Sequence, residues 1–201
     1  MGTERPNSID ADLSLPSPLG RAWNRLHRLL RGRDIGVVYS PLYLVDLGVT
    51  PIDVLRPERI LAFLLAYGLL EPRKLLRPKI ASLGDLRLAH GRRYLEKLRD
   101  PASLTEIVGT EVWPDLHRKA LLAQRAAVGG TLLATQQALA DSALVINLGG
   151  GFHHASRLQG KGFCIFNDVA VAIRRARRDG FTGRILIVDL DLDDGNGTRQ
   201  I

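Results

Sequence analysis

The stretch Ile146–Asp168, INLGGGFHHASRLQGKGFCIFND, decides the architecture, and Ile185–Ile201, ILIVDLDLDDGNGTRQI, repeats its logic. Ala143 to Asn147 is a short apolar run ending at glycines, as expected of a strand buried on both faces. Gly149, Gly150 and Gly151 then permit a sharp turn and a close backbone approach. His153 and His154 follow at the carboxyl end of that strand, where open α/β sheets place their sites. Neighbouring histidines in a loop are commonly just solvated; the glycine-rich strand end is what argues for a site.

In the second block Arg184 to Val188 reads as a central strand, with Asp189, Asp191, Asp193 and Asp194 crowding its end. Carboxylates so close repel unless a cation or hydrogen-bond donors sit among them. On an extended backbone Asp189, Asp191 and Asp193 share one face. Oxygen-rich clusters suit magnesium, calcium or manganese, and an added imidazole favours zinc or iron. The competing reading is an acidic turn, since DDGNG is good turn chemistry. Asp168 to Arg178 reads as the crossover helix between the two strands, ending at Gly180.

Together the blocks resemble the zinc-dependent histone deacetylase family within the arginase/deacetylase fold. The resemblance rests on GGGFHHA (149–155), Gly162-Phe163-Cys164 followed by Asn167-Asp168, and the DLDxxxGNGT pattern from Asp189 to Thr198. Upstream, VVYSPLY (37–43), RPERILAFL (56–64), LAHGRRYLEKL (88–98), SLTEI (103–107) and GGTLLA (129–134) look like the small class IV branch, so the resemblance covers nearly everything from about Asp34 onward. It implies an α/β fold, a three-layer parallel sheet with helices on both faces. This chain would supply the N-terminal part, and a sheet lacking the strands that flank Arg184–Val188 is expected to expose an apolar edge.

The implied activity is hydrolysis of an acyl-lysine or related acylated amine by a zinc-activated water and a histidine pair. His153 matches the first histidine, oriented by Asp189. His154 matches the second, the general base and acid, and its orienting partner falls at Asn196. A neutral orienter leaves His154 easier to deprotonate than a carboxylate would. Asp191 matches a zinc ligand, and Gly151 and Phe163 match the walls of the channel that takes the acylated stem. Where the family places a histidine ligand this chain has Asp193, a shorter and negatively charged donor that favours harder cations. The family's third ligand and its oxyanion-stabilising tyrosine fall beyond Ile201. The alternative is therefore a catalytically inactive remnant or binding module without the complete metal site.

At 201 residues and 45% hydrophobic content the chain can bury a sizeable core within one domain. Residues 1–18, rich in proline, serine and acidic side chains, are expected to be disordered, with 19–201 forming the deacetylase-like part. Val37 to Tyr39 reads as the first strand, and Arg56–Tyr67, Leu86–Arg99 and Leu116–Leu139 as helices. From Leu19 to Leu30 an apolar stripe of Leu19, Trp23, Leu26, Leu29 and Leu30 predicts a helix docked on the domain, with a membrane-surface or nucleic-acid helix as the alternative.

A net charge of +7 raises nucleic-acid binding. The run Arg174, Arg175, Arg177, Arg178 reads instead as a solvated helix face, and with 5% aromatic residues no specific nucleic-acid partner is expected. The single cysteine, Cys164, excludes an internal disulfide and suits a reducing cytoplasm, with packing rather than nucleophilic catalysis as its role. With no long apolar run and no leader pattern, neither membrane insertion nor export is expected. The oligomeric state is left open.

Overall fold

β1 (Ile35–Val38) is the middle strand of a parallel sheet ordered β2–β1–β3. The computed structural model describes residues 17–31, 35–46, 53–141 and 143–201. Val37 and Val38 lie opposite Leu75 and Leu76 of β2 (Leu75–Leu76), and Ile35 to Val38 opposite Leu144 to Asn147 of β3 (Leu144–Asn147). Parallel neighbours require crossover connections. α1 (Pro18–Arg31) precedes the sheet and α2 (Arg56–Ala66) links β1 to β2; α3 (Leu83–Leu86), α4 (Arg92–Lys97), α5 (Pro101–Val108) and the 28-residue α6 (Pro114–Asp141) link β2 to β3. α7 (Asp168–Arg178) and the single turn α8 (Asn196–Arg199) follow.

Two apolar clusters hold these layers. On one side of β1, Val37 and Tyr39 meet Leu61 of α2 and Leu70. The larger cluster joins Leu86, Leu104, Val128, Ile165, Phe166 and Val171, all fully buried, between α6, α7 and the α3–α5 connection. α6 can lie close because its inward residues are small: Ala120, Ala123, Ala126, Ala127, Gly129 and Gly130 are buried.

The expected long helices α2, α6 and α7 are present, α7 closing at Gly180 with a φ of 98°. Four expectations need correction. Instead of one helix over Leu86–Arg99, α3 ends at Leu86 and α4 starts at Arg92, because His90 is fixed between them: its Nδ1 meets the Ser156 carbonyl at 2.9 Å and its Nε2 accepts the Asn167 amide at 3.0 Å. β3 is buried on one face only. Asn147 turns toward α6, whereas Leu144 and Ile146 on the opposite face are exposed, and β3 is an edge strand among the described residues.

Arg184–Val188 is not a strand, since strand pairing needs a neighbour and none of the described residues pairs with it; Leu186 and Leu190 are 85% and 92% exposed. α1 forms as expected, but Leu19, Trp23 and Leu26 point outward. A polar residue docks it, Asn24 Nδ2 donating to the Tyr67 carbonyl at 2.9 Å. The side chains of Leu29 and Leu30 lie outside the described set, as do residues 1–16 of the expected tail, while Pro18 already belongs to α1. In the arginine run, Arg175 is tied to Asp85 and Asp179 at 2.7 and 2.6 Å, leaving Arg174, Arg177 and Arg178 on the exposed face. Among the described residues no helix is long and apolar enough to cross a membrane.

Candidate active site

Behind β3 the chain turns through Gly149–Gly151 and delivers His153 and His154 to the floor of a cavity of about 350 Å³. His153 Nδ1 donates to Asp189 Oδ2 at 2.7 Å, and His154 Nδ1 lies 3.3 Å from Asn196 Oδ1. With both Nδ1 atoms assigned as donors, each ring turns its Nε2 toward the other, 3.3 Å apart. Two bare lone pairs at that distance repel, whereas one proton on either Nε2 joins the rings as donor and acceptor. Asp189 also accepts the Asp191 amide at 3.1 Å; that bond first, and then the His153 ring, hold its carboxyl below the usual carboxylate range.

The cavity walls include Gly151 and Phe163. Phe163 has a φ of 63°, a region that costs a bulky residue about 1–2 kcal/mol. It occupies the second central position of a tight turn, Gly162 the first with φ 54°, closed by Lys161 N to Cys164 O at 3.1 Å and Cys164 N to Lys161 O at 2.9 Å. Positive φ at both central residues defines a type I′ turn. Gln124 of α6 holds it: Nε2 donates to the Phe163 carbonyl at 2.5 Å and Oε1 accepts the amides of Ile165 and Phe166 at 2.8 and 3.1 Å. Cys164 is buried, which pushes its thiol up to about 11 and keeps it protonated, so it is packing rather than a nucleophile.

Of the proposed metal donors, both Asp191 and Asp193 line the cavity and are exposed. Asp191 Oδ1 accepts the Asp193 amide at 2.9 Å, and Asp193 Oδ2 stands 3.8 Å from His154 Nε2. Among the described residues no three histidine, cysteine or acidic side chains converge as a metal site. A catalytic zinc takes three protein ligands, so the donors present do not fit one by themselves.

The turn also has a polar understructure that residue patterns did not reveal. Tyr43 donates to Asn147 Oδ1 at 2.9 Å; Asn147 Nδ2 donates to the Ala127 carbonyl and to Thr131 Oγ1; Thr131 Oγ1 donates to Asp168 Oδ2 at 2.5 Å. Burial, and then the Asp168 charge, push the Tyr43 phenol far above its ordinary value, so it remains a donor. Asn147 at the end of an apolar strand and Gly130 inside a helix were the available signals. A Cβ at Gly130 would stand 2.6 Å from Asn147 Oδ1, inside van der Waals contact.

Residues 50–201 match the family model of the histone deacetylase domain. Histone deacetylase 2 of Arabidopsis thaliana is 34% identical over 174 residues, 81% of this chain and 44% of that protein. The acetoin utilization protein AcuC of Bacillus subtilis (strain 168) is 32% identical over 185 residues, 83% of this chain and 46% of that protein. The chain thus spans about half the length of the curated relatives it matches. Among solved structures, a homolog of these deacetylases complexed with SAHA superposes with a TM-score of 0.70 at 24% identity, covering 83% of this chain and 47% of that one. Another, from Aquifex aeolicus, gives 0.69 with the same coverage. These neighbours bear out the α/β, arginase/deacetylase-like fold.

Proposed function

Because the chain belongs to the histone deacetylase domain family, we propose that its histidine pair performs acid–base chemistry in the hydrolysis of an acyl-lysine or related acylated amine. The observation that supports this is the pair itself: two imidazoles facing through Nε2 at 3.3 Å, each held at Nδ1, at the floor of a cavity walled by Phe163. In this reading Asp189 fixes the tautomer and orientation of His153, and Asn196 those of His154. His154 Nε2 removes the proton of the attacking water, and the pair returns it to the leaving amine, which must depart protonated. Phe163 and the bare backbone of Gly151 receive the apolar stem.

A bound zinc would supply Lewis-acid polarisation of the carbonyl and the water. In this chain Asp191 and Asp193 are the proposed carboxylate donors toward it. As two donors they do not complete the site, and no step here is routed through the metal. That same two-donor set favours the second reading, a non-catalytic remnant or binding module. The two readings separate on release of acetate or a longer acid from acylated lysine peptides, measured with metal content. An enzyme holds about one zinc per chain and loses essentially all turnover in His154→Ala. Turnover undiminished in that variant would remove His154 from the mechanism, and a metal-free chain without turnover would establish the remnant.

A further inference from the structure

Two consecutive residues at the start of α7, Asn167 and Asp168, are both fully buried although polar, and together they make hydrogen bonds to the chain on both sides of the histidine pair. On the upstream side the Asp168 carboxylate accepts the Phe152 amide at 2.8 Å and the Gly151 amide at 3.1 Å, with Thr131 Oγ1 as a third donor at 2.5 Å. On the downstream side Asn167 Nδ2 donates to the Ala155 carbonyl at 3.0 Å and reaches the His153 carbonyl at 3.4 Å. It also donates to Thr198 Oγ1 at 2.9 Å, and the Thr198 amide in turn donates to the His153 carbonyl at 3.1 Å. Asn167 Oδ1 is engaged separately, capping α7 by accepting the Ala170 amide at 2.9 Å.

From this we infer that Asn167 and Asp168 are the positioning residues of the histidine pair, gripping the backbone at residues 151–152 and 153–155 so that both rings are held from α7 rather than from their own loop. The inference rests on reading His153 and His154 as the acid–base pair. A cap needs only the asparagine; the aspartate beside it has no helix-capping duty that would require its burial. Its carboxylate lies beneath the glycine turn, where a Cβ on Gly150 would stand 2.6 Å from Asp168 Oδ2. A buried carboxylate must collect hydrogen-bond donors, and two of the three it collects are the amides that lead directly into His153. Thr131 relays this to β3, since its hydroxyl donates to Asp168 and accepts from Asn147 Nδ2 at 2.9 Å. His90 completes the downstream side by binding the Ser156 carbonyl and the Asn167 amide at once.

Asp168→Asn keeps the shape but presents an amide N–H₂ or a single acceptor oxygen where three donors converge. Its effect is read in three ways: amide exchange at Gly151 and Phe152, the ring signals of His153 and His154 at fixed pH, and deacylase kinetics. The expected result is at least about tenfold faster exchange, displaced ring signals, and kcat lower by about 10²-fold with KM within about threefold, the cost of roughly 1 Å of misplacement. Thr131→Val should move the same readouts in the same direction and Thr131→Ser should restore most of them; that pair decides the matter if Asp168→Asn fails to fold. Unaltered ring signals and exchange in a folded Asp168→Asn overturn the inference. So do Gly151 and Phe152 amides that exchange in the unmodified chain as fast as an open loop. If the unmodified chain shows no turnover, the proposed hydrolysis fails, while exchange and ring signals still decide the clamp.

Discussion

Gly129→Ala sets two opposed effects against each other at one position of α6. Helix propensity alone favours alanine over glycine by about 1 kcal/mol in a helix interior, and Gly129 lies well inside α6. Against this stands the segment Lys79–Ala81, which crosses α6 at that point. A Cβ on residue 129 would overlap the Lys79 carbonyl oxygen and stand 3.0 Å from its carbonyl carbon and 3.3 Å from the Ala81 nitrogen. These are backbone atoms and cannot rotate away. The segment is also tied down, the Ala81 amide donating to the Arg125 carbonyl at 3.0 Å and Arg125 Nε to the Ala81 carbonyl at 2.9 Å.

Retreating by the ångström or so that a methyl needs stretches both bonds, worth about 1 kcal/mol each, and adds roughly 1–3 kcal/mol of overpacking. Subtracting the propensity gain leaves a net loss of about 2–4 kcal/mol, or roughly 5–15 °C in Tm for a chain of this size. Urea unfolding followed by circular dichroism should show a lower midpoint with an unchanged slope. An alanine variant as stable as the unmodified chain would refute the close crossing of residues 79–81 over α6, and with it the packing that seats the sheet on this helix.

Two further outcomes test the site from other directions. Burial, above all, lowers the His90 ring to about 4 from its ordinary 6.5. Between those values the unfolded chain binds a proton that the folded chain refuses, so stability is fully present above about pH 6.5 and falls by about 3 kcal/mol as pH drops through the window toward 4. His90→Gln should flatten that slope in urea midpoints taken from pH 7 to 4, and an equally steep slope would place the proton uptake elsewhere. Asp193→His, tested by competition with a chromophoric chelator, should raise zinc affinity by about tenfold or more, since imidazole is the better zinc donor; an unchanged affinity would put residue 193 outside the metal shell.

Local chemistry made much of this legible. α7 announces itself through Gly180, α6 through length, and the histidine pair through the glycines that precede it. Asp189 and Asn196 came from the family resemblance, and in the structure they lie 2.7 and 3.3 Å from Nδ1 of His153 and His154. What sequence did not disclose depended on partners far along the chain. Leu86–Arg99 has a continuous helical pattern, and only the capture of His90 by Ser156 and Asn167 breaks it. Arg184–Val188 has a strand's composition, but pairing is a property of two segments and none of the described residues pairs with it. Asn167-Asp168 reads as an ordinary helix start; that the carboxylate folds back beneath Gly150 is a tertiary fact.

The residues that fix the site converge on one face of α6. Gln124, Ala127 and Thr131 stand at positions i, i+3 and i+7, which share a side of a helix. Gln124 holds the strained Phe163 turn, the Ala127 carbonyl and Thr131 hydroxyl hold Asn147 at the end of β3, and Thr131 also holds Asp168. Gln124 and Thr131 are separated by about 10 Å along the axis, so the spacing between the Phe163 turn and the histidine turn is set by helical rise rather than by loop conformation. A left-handed phenylalanine and a glycine-rich turn are each poor at specifying themselves. Both become precise here because one rigid element holds the first directly and the second through Asn147 and Asp168. The same argument explains why a glutamine in an alanine-rich helix attracted no attention as a functional residue: its importance lies in which backbone groups it reaches, and those are about forty positions away in sequence.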